Sequence, residues 1–281
     1  MKKIFTTWLV LATLLSASAL DKEDYYLAGS YQYNGITLPH RQLTLNADLP
    51  GQPLLVVQLH GGSARGNDNV AQLNASAVDS VENYLREHQA KAIFVLPQCG
   101  ADRVWNESRN SYSTTMTDVV TQWLQEYIPS NNVDASRVYI TGYSAGGSGT
   151  WRMVNDNQDM FASALIAAAK PLMVTAANIR HTPVYAVAGS NDQLMDYSAI
   201  KSFVESLQAL DAEALYYQLN GRDHLGTCDQ AFTHARLDWL LSHNYVLPQP
   251  SVTSICDVNH DGAVDVSDVN MVINAMLGKA K

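Results

Sequence analysis

Charge, cysteine and long apolar runs are all scarce in this sequence, and each scarcity narrows what the chain can be. Charged residues fill 16% of its 281 positions, and 27 acidic side chains outnumber 18 basic ones, giving a net charge of −9. That balance argues against nucleic acid or an anionic membrane surface as a partner. Past the N-terminus no apolar stretch is long enough to cross a bilayer. There are three cysteines, Cys99, Cys228 and Cys256. The odd count leaves at least one thiol free or paired between chains. No internal repeat is visible up to about residue 245. What is present is a 47% hydrophobic chain, enough for one good-sized α/β domain with small additions.

The first residues read as a targeting segment. Lys2 and Lys3 precede an apolar core over residues 4–15, and Ala17-Ser18-Ala19 is an A-x-A cleavage site. The expectation is a signal peptide over 1–19, a mature chain starting near Leu20 and a secreted or periplasmic protein. No cysteine follows the apolar core, so a lipoprotein anchor is not expected.

Residues 25–45 pattern as a β-hairpin around Asn34-Gly35, a dipeptide suited to positive φ. Residues 54–59 are nearly all apolar, as in a strand buried on both faces. Residues 92–96, 138–140 and 184–187 repeat that character, and 215–219 is a further candidate. Helical periodicity lies between them, most clearly in Met116, Val119, Val120, Trp123, Leu124 and Tyr127. Ile200, Phe203, Val204 and Leu207 mark another helix, and residues 232–241 the last. Alternating strands and helices predict a mostly parallel central sheet covered by helices on both faces, an α/β fold over residues 20–247. Pro248-Gln249-Pro250-Ser251 begins a stiff polar linker over 248–255.

One turn carries chemistry. Gly142-Tyr143-Ser144-Ala145-Gly146-Gly147 follows an apolar strand and precedes a helical stretch, the context in which G-x-S-x-G exposes a nucleophile. The helix after it points its positive end at Ser144. Asp192 follows the 184–187 strand and is the candidate orienting acid, with Asp196 the runner-up. His224 follows the last strand in a glycine-flanked loop and is the candidate base. Asp223 is adjacent in sequence but points elsewhere. His60-Gly61-Gly62-Ser63 follows the first buried strand and suits an oxyanion hole made by the backbone N–H groups of Gly62 and Ala145, with Ser63 as the alternative second donor. His60 itself is read as structural. Trp105 and Trp151 are candidates to line the site and stack on a sugar or aromatic ring, against core packing. On this fold Cys99 and Cys228 fall at the same end of the sheet, and a Cys99–Cys228 disulfide is one expectation. No long insertion separates the Ser144 helix from the Asp192 strand, so an open site without a lid is expected.

These stretches resemble the α/β-hydrolase family. The likeness extends to Leu59-His60-Gly61-Gly62, Arg65-Gly66-Asn67-Asp68-Asn69, Pro97-Gln98-Cys99 with Trp105, residues 138–151, 189–192 and 221–224. Within it the chain is similar to secreted esterases related to feruloyl esterases and polyhydroxyalkanoate depolymerases, a branch that includes predicted peptidases and phospholipase/carboxylesterases. The resemblance covers roughly residues 50–245. It implies an α/β-hydrolase fold, a Ser144–His224–Asp192 triad and no cofactor for catalysis. Two departures fall near the expected pocket. Leu194-Met195 stands where relatives often carry Val-Pro, and Gly226-Thr227-Cys228 where an aromatic residue is common. Both bear on acyl preference.

Residues 256–281 read as a small calcium-loop helix module. Asp257, Asn259 and Asp261 occupy loop positions one, three and five, glycine follows at six, and Asp268 closes the loop at twelve. Ca²⁺ would be held by these three, the carbonyl of Ala263, Asp265 through water, and Asp268. The segment resembles one repeat of a type I dockerin. A complete dockerin has two repeats, so the resemblance gives only a weakened expectation of a cohesin-like partner for the tail. Together these readings imply a secreted serine esterase whose substrate is a feruloyl or acetyl ester of plant cell-wall polysaccharide. The alternatives are a serine peptidase or other acyl hydrolase on the same residues, and a non-catalytic module docking through its tail.

Overall fold

The apolar runs of the sequence assemble side by side as the centre of one sheet. The structure is a computed structural model that describes residues 21–245, 258 and 264–277. The strands are β1 (Leu27–Tyr33), β2 (Ile36–Leu45), β3 (Leu54–Leu59), β4 (Ala92–Pro97), β5 (Val138–Tyr143), β6 (Ser163–Ala167), β7 (Val184–Gly189) and β8 (Ala214–Leu219). Their order across the sheet is β1-β2-β4-β3-β5-β6-β7-β8. β2 is antiparallel to both its neighbours, and every pair from β4 to β8 is parallel. Every residue of β3, β4 and β6 is buried, as strands covered on both faces require. β1, at the edge, leaves alternate residues exposed. The β1–β2 turn is Asn34-Gly35, both at positive φ (49° and 78°).

The main helices are α1 (Lys22–Tyr25), α2 (Ser76–Glu87), α3 (Met116–Ser130), α4 (Ala145–Asp156), α5 (Ala176–Ile179), α6 (Tyr197–Gln208), α7 (His224–Gln230) and α8 (His234–Leu241). One core packs α3, α4 and α6 on the sheet through Val120, Trp123, Trp151 and Val204. The other packs α2 and α8 on the opposite face through Val81, Leu85, Leu237 and Leu240. α3 begins at a capping box in which Thr115 and Asp118 each take the other's backbone N–H. This is the α/β layering that the alternating sequence pattern predicts.

Two elements differ from the sequence reading. β6 has only five residues, Ser163-Ala164-Leu165-Ile166-Ala167, and lacks the β-branched density that marks the other strands. His224 is the first residue of α7, not a loop residue, because the Asp223 carboxylate accepts the Gly226 N–H at 2.8 Å and caps a helix there. A last helix, α9 (Val266–Met276), lies in the C-terminal module. The signal segment 1–19, the connector 248–255, Cys256 and the proposed ligands Asp257, Asn259, Asp261 and Ala263 lie outside the described residues. Among the described residues no helix is long and apolar enough to cross a membrane.

Candidate active site

Ser144 sits on a turn too sharp for ordinary backbone. Its φ is 55° and its ψ is −124°, between the end of β5 and the start of α4. A non-glycine residue there costs on the order of 1–3 kcal/mol. The surroundings hold it: the Ser144 N–H donates to the Ala167 carbonyl of β6 at 2.9 Å. The flanking glycines are required by close approach. A Cβ on Gly146 would stand 2.0 Å from the Leu59 carbonyl oxygen, and one on Gly142 2.5 Å from the Gly146 carbonyl oxygen. A side chain at Gly146 would push the α4 turn off β3, and one at Gly142 would push it off β5.

Three side chains far apart in the chain meet beside this turn. His224 Nε2 lies 2.8 Å from Ser144 Oγ, and His224 Nδ1 lies 2.8 Å from Asp192 Oδ2. An ionised carboxylate can only accept, so Nδ1 carries the proton and Nε2 is left to accept from the serine hydroxyl. Asp192 has its other oxygen filled by the N–H groups of Leu194 and Met195, both at 2.9 Å. Its side chain is only 1% exposed, against 11% for His224. The loops that carry the pair are tied together: Asn191 N–H donates to the Arg222 carbonyl at 3.0 Å. Asp196 is elsewhere. Its carboxylate caps α6, accepting from the Ser198 N–H at 2.9 Å and the Ser198 hydroxyl at 2.6 Å. Asp223 is likewise occupied by its own helix.

The loop after β3 comes against the Ser144 turn. Gly62 opens a 3₁₀ turn over Gly62–Ala64, and a Cβ built on it would stand 3.8 Å from that of Ala145. Gly62 and Ala145 are therefore adjacent, and the N–H of Ala145 belongs to the first turn of α4, where no intrahelical acceptor exists. His60 props this loop from behind. Its Nδ1–H donates to the Gly61 carbonyl at 2.7 Å, its Nε2 accepts from the Cys99 N–H at 2.9 Å, and its own carbonyl accepts from the Trp105 indole at 3.0 Å. Burial pushes the imidazole down to about 4, so it stays neutral at ordinary pH. That arrangement is structural.

The tryptophans do not line the site. Trp105 is 1% and Trp151 0% exposed. Each spends its indole N–H on a backbone carbonyl beneath the site, Trp151 on Ala169 at 3.0 Å. The expected stacking platform is thus core. The expected disulfide is absent as well: Cys99 and Cys228 are free, buried thiols. Cys99 packs in the core cluster that holds Trp105, while Cys228 lines the cavity beside Ser144. Burial pushes both thiols up to about 12.

A cavity of about 650 Å³ opens onto Ser144 and His224. Gly62, Ser63, Ala75, Ala77, Cys228 and Asp229 are among the residues that line it. Tyr143 lines it too, under Gly61, where an added Cβ would come within 2.8 Å of its ring. Leu194 and Leu225 stand at its lining with 66% and 72% exposure. Sequence reasoning missed Tyr143, Leu225 and Asp229. The one signal was local: Tyr143 precedes the nucleophile turn, and the other two follow His224 within one and a half helical turns.

The strand order, the strained serine turn and the three loops meeting above it decide the architecture. The fold is that of the α/β hydrolases. Residues 97–231 match the Dienelactone hydrolase family, a stretch that includes Ser144, Asp192 and His224. A bifunctional acetylxylan esterase/xylanase of Neocallimastix patriciarum is 22% identical over 158 residues, which is 56% of this chain and 22% of that protein. The chain thus spans about a fifth of the length of the curated relative it matches. Among solved structures, a thermostable esterase superposes with a TM-score of 0.70 at 22% identity, covering 79% of this chain and 64% of that one. The feruloyl esterase module from Clostridium thermocellum, complexed with sinapinate, gives 0.58 at 13% identity, covering 80% and 89%.

Proposed function

We propose that this chain is an exported serine ester hydrolase acting through an acyl-enzyme on Ser144. The observation that carries it is the pair of 2.8 Å contacts joining Ser144, His224 and Asp192 at the edge of an open cavity. In this reading Ser144 Oγ attacks the ester carbonyl carbon while His224 Nε2 takes the hydroxyl proton. Charge gathers on the carbonyl oxygen, where the N–H groups of Gly62 and Ala145 would receive it. His224 then gives the proton to the departing alcohol oxygen, and the acyl group remains on Ser144. Water enters, His224 takes one of its protons, and the second addition releases the acid and restores the hydroxyl. Asp192 stays ionised throughout and stabilises the imidazolium of each step.

Feruloyl or acetyl esters of plant cell-wall polysaccharides are the substrates this reading favours. The acetylxylan esterase relative and the likeness to a feruloyl esterase module support that class by analogy. The test is a substrate panel with the purified chain: methyl ferulate, acetylated xylan, p-nitrophenyl esters of rising chain length, and a peptide. Release of ferulate or acetate with the peptide left intact is the expected result. Cleavage of the peptide alone would overturn the ester assignment.

The C-terminal loop is proposed to take Ca²⁺. Of this loop Val258 and the residues from 264 onward are described. Asp268 is 3% exposed and accepts the N–H groups of Val258 at 2.7 Å and Asp265 at 2.9 Å, drawing the loop's second and ninth positions onto its twelfth. Asp265 accepts from the Ser267 N–H at 2.7 Å and starts α9. A hard oxygen-rich loop closed in this way suits a calcium ion held by Asp257, Asn259, Asp261, Ala263, Asp265 and Asp268. Calorimetric titration of the full chain with Ca²⁺ is expected to show one site. A flat titration would remove it.

A further inference from the structure

The cavity beside Ser144 has small walls and one carboxylate. Ala64, Ala71, Ala75 and Ala77 leave it wide, and Tyr143 supplies its largest aromatic surface. At about 650 Å³ it is far larger than an acetyl group requires and is in the range of pockets that hold ring-bearing ligands. Its polarity is one-sided. Among the described residues Asp229 of α7 is the only acidic residue lining it, and no lysine or arginine does.

That carboxylate and its hydrogen-bond partner Ser76 both line the cavity and are both exposed. Ser76, the first residue of α2, donates its hydroxyl to Asp229 Oδ1 at 2.6 Å. Among the described residues Oδ2 has no protein donor. The cavity lining therefore carries a carboxylate with one oxygen tied to Ser76 and one acceptor oxygen to spare. A hydroxyl brought there gains a charge-assisted hydrogen bond. A carboxylate brought there meets like charge with no cation to offset it.

We infer that Asp229 is a specificity-determining residue of this site. It accepts a hydrogen bond from a neutral hydroxyl on a ring-bearing acyl group, and it disfavours acyl groups that end in a carboxylate. The inference rests on the ester-hydrolase reading and deepens it, because it separates hydroxylated aromatic acyl groups from plain acetyl. The inference puts the acyl group and not the leaving alcohol in the cavity, so the preference should persist in simple methyl esters.

The experiment compares kcat/KM for methyl cinnamate, methyl 4-hydroxycinnamate and methyl 4-carboxycinnamate in the wild type and Asp229→Asn. The asparagine keeps an oxygen for the Ser76 hydroxyl and turns a donor toward the substrate. The wild type is expected to favour the hydroxylated ester over methyl cinnamate by about fivefold to tenfold, the range for a partly solvated hydrogen bond to a charged group. In Asp229→Asn that ratio should fall severalfold, since the amide N–H offers the hydroxyl only a neutral hydrogen bond, and the carboxylated ester should gain about tenfold. Ser76→Ala provides a second variant that leaves the carboxylate but frees its orientation, and it should lower the hydroxyl preference in the same direction.

Unchanged ratios in both variants overturn the inference. So does a loss in Asp229→Asn that appears only with acetylated xylo-oligosaccharides, since the cavity would then be taking the sugar. If the wild type hydrolyses p-nitrophenyl acetate but shows no hydroxyl preference, Asp229 has no such role and the ester reading stands. If it hydrolyses none of these esters, the ester reading falls and this inference falls with it.

Discussion

Ser144→Ala is expected to lower kcat for p-nitrophenyl acetate by about 10⁴-fold or more while the protein stays folded. The size follows from the proposed role: if Ser144 is the nucleophile, loss of its hydroxyl removes the acyl-enzyme and leaves only the rate that binding and the proposed oxyanion donors supply. The specificity of the result follows from the structure. Ser144 Oγ has one side-chain partner, His224, and the strained backbone at this residue is held by its N–H to Ala167 and by the glycine packing around it. Alanine keeps all of that. The unfolding midpoint should therefore move by no more than a few degrees, as for a substitution that opens no cavity and buries no unpaired group. KM should change little, since the cavity walls are untouched. Measuring kcat, KM and thermal unfolding on the same preparation separates loss of chemistry from loss of fold. Activity within tenfold of the wild type would mean that Ser144 is not the nucleophile.

What the sequence could and could not announce divides along physical lines. Strands buried on both faces write themselves as continuous apolar runs, so β3, β4, β5 and β7 were plain. β6 was not, because five residues of which three are serine or alanine can be buried between neighbours without the bulk that signals a strand. The Ser144 turn was legible because its geometry excludes every residue but glycine at two positions. His224 and Asp192 were legible from their place after strand ends. The start of α7 was hidden, since a helix that begins with His224-Leu225-Gly226 has weak propensity and depends on the Asp223 cap. Trp105 and Trp151 misled for another reason. An indole near a site in sequence can face either way, and here a carbonyl beneath the sheet end satisfies each N–H. The cysteines failed likewise: sharing an end of the sheet says nothing about which side of the Ser144 turn each side chain takes.

Asp192→Asn is expected to lower kcat by about 10³-fold to 10⁴-fold, and Asp196→Asn by less than about twofold. The two carboxylates lie four positions apart, yet their surroundings set them in different tasks. Asp192 gives Oδ2 to His224 Nδ1 and Oδ1 to two backbone N–H groups. An asparagine there keeps one of these partners at the expense of the other. If its carbonyl stays on the Leu194 and Met195 amides, its NH₂ faces His224 and drives the imidazole proton to Nε2, where it can no longer accept from Ser144. If it rotates to serve His224, its NH₂ confronts two backbone donors and the 190–195 loop must open. The first outcome costs turnover with little change in KM; the second costs unfolding temperature as well. Asp196 caps α6 through Ser198, and asparagine is an equally good helix cap, so neither readout should move. Turnover within tenfold of the wild type for Asp192→Asn, or a larger loss for Asp196→Asn, would reassign the acid and with it the tautomer on which the whole site depends.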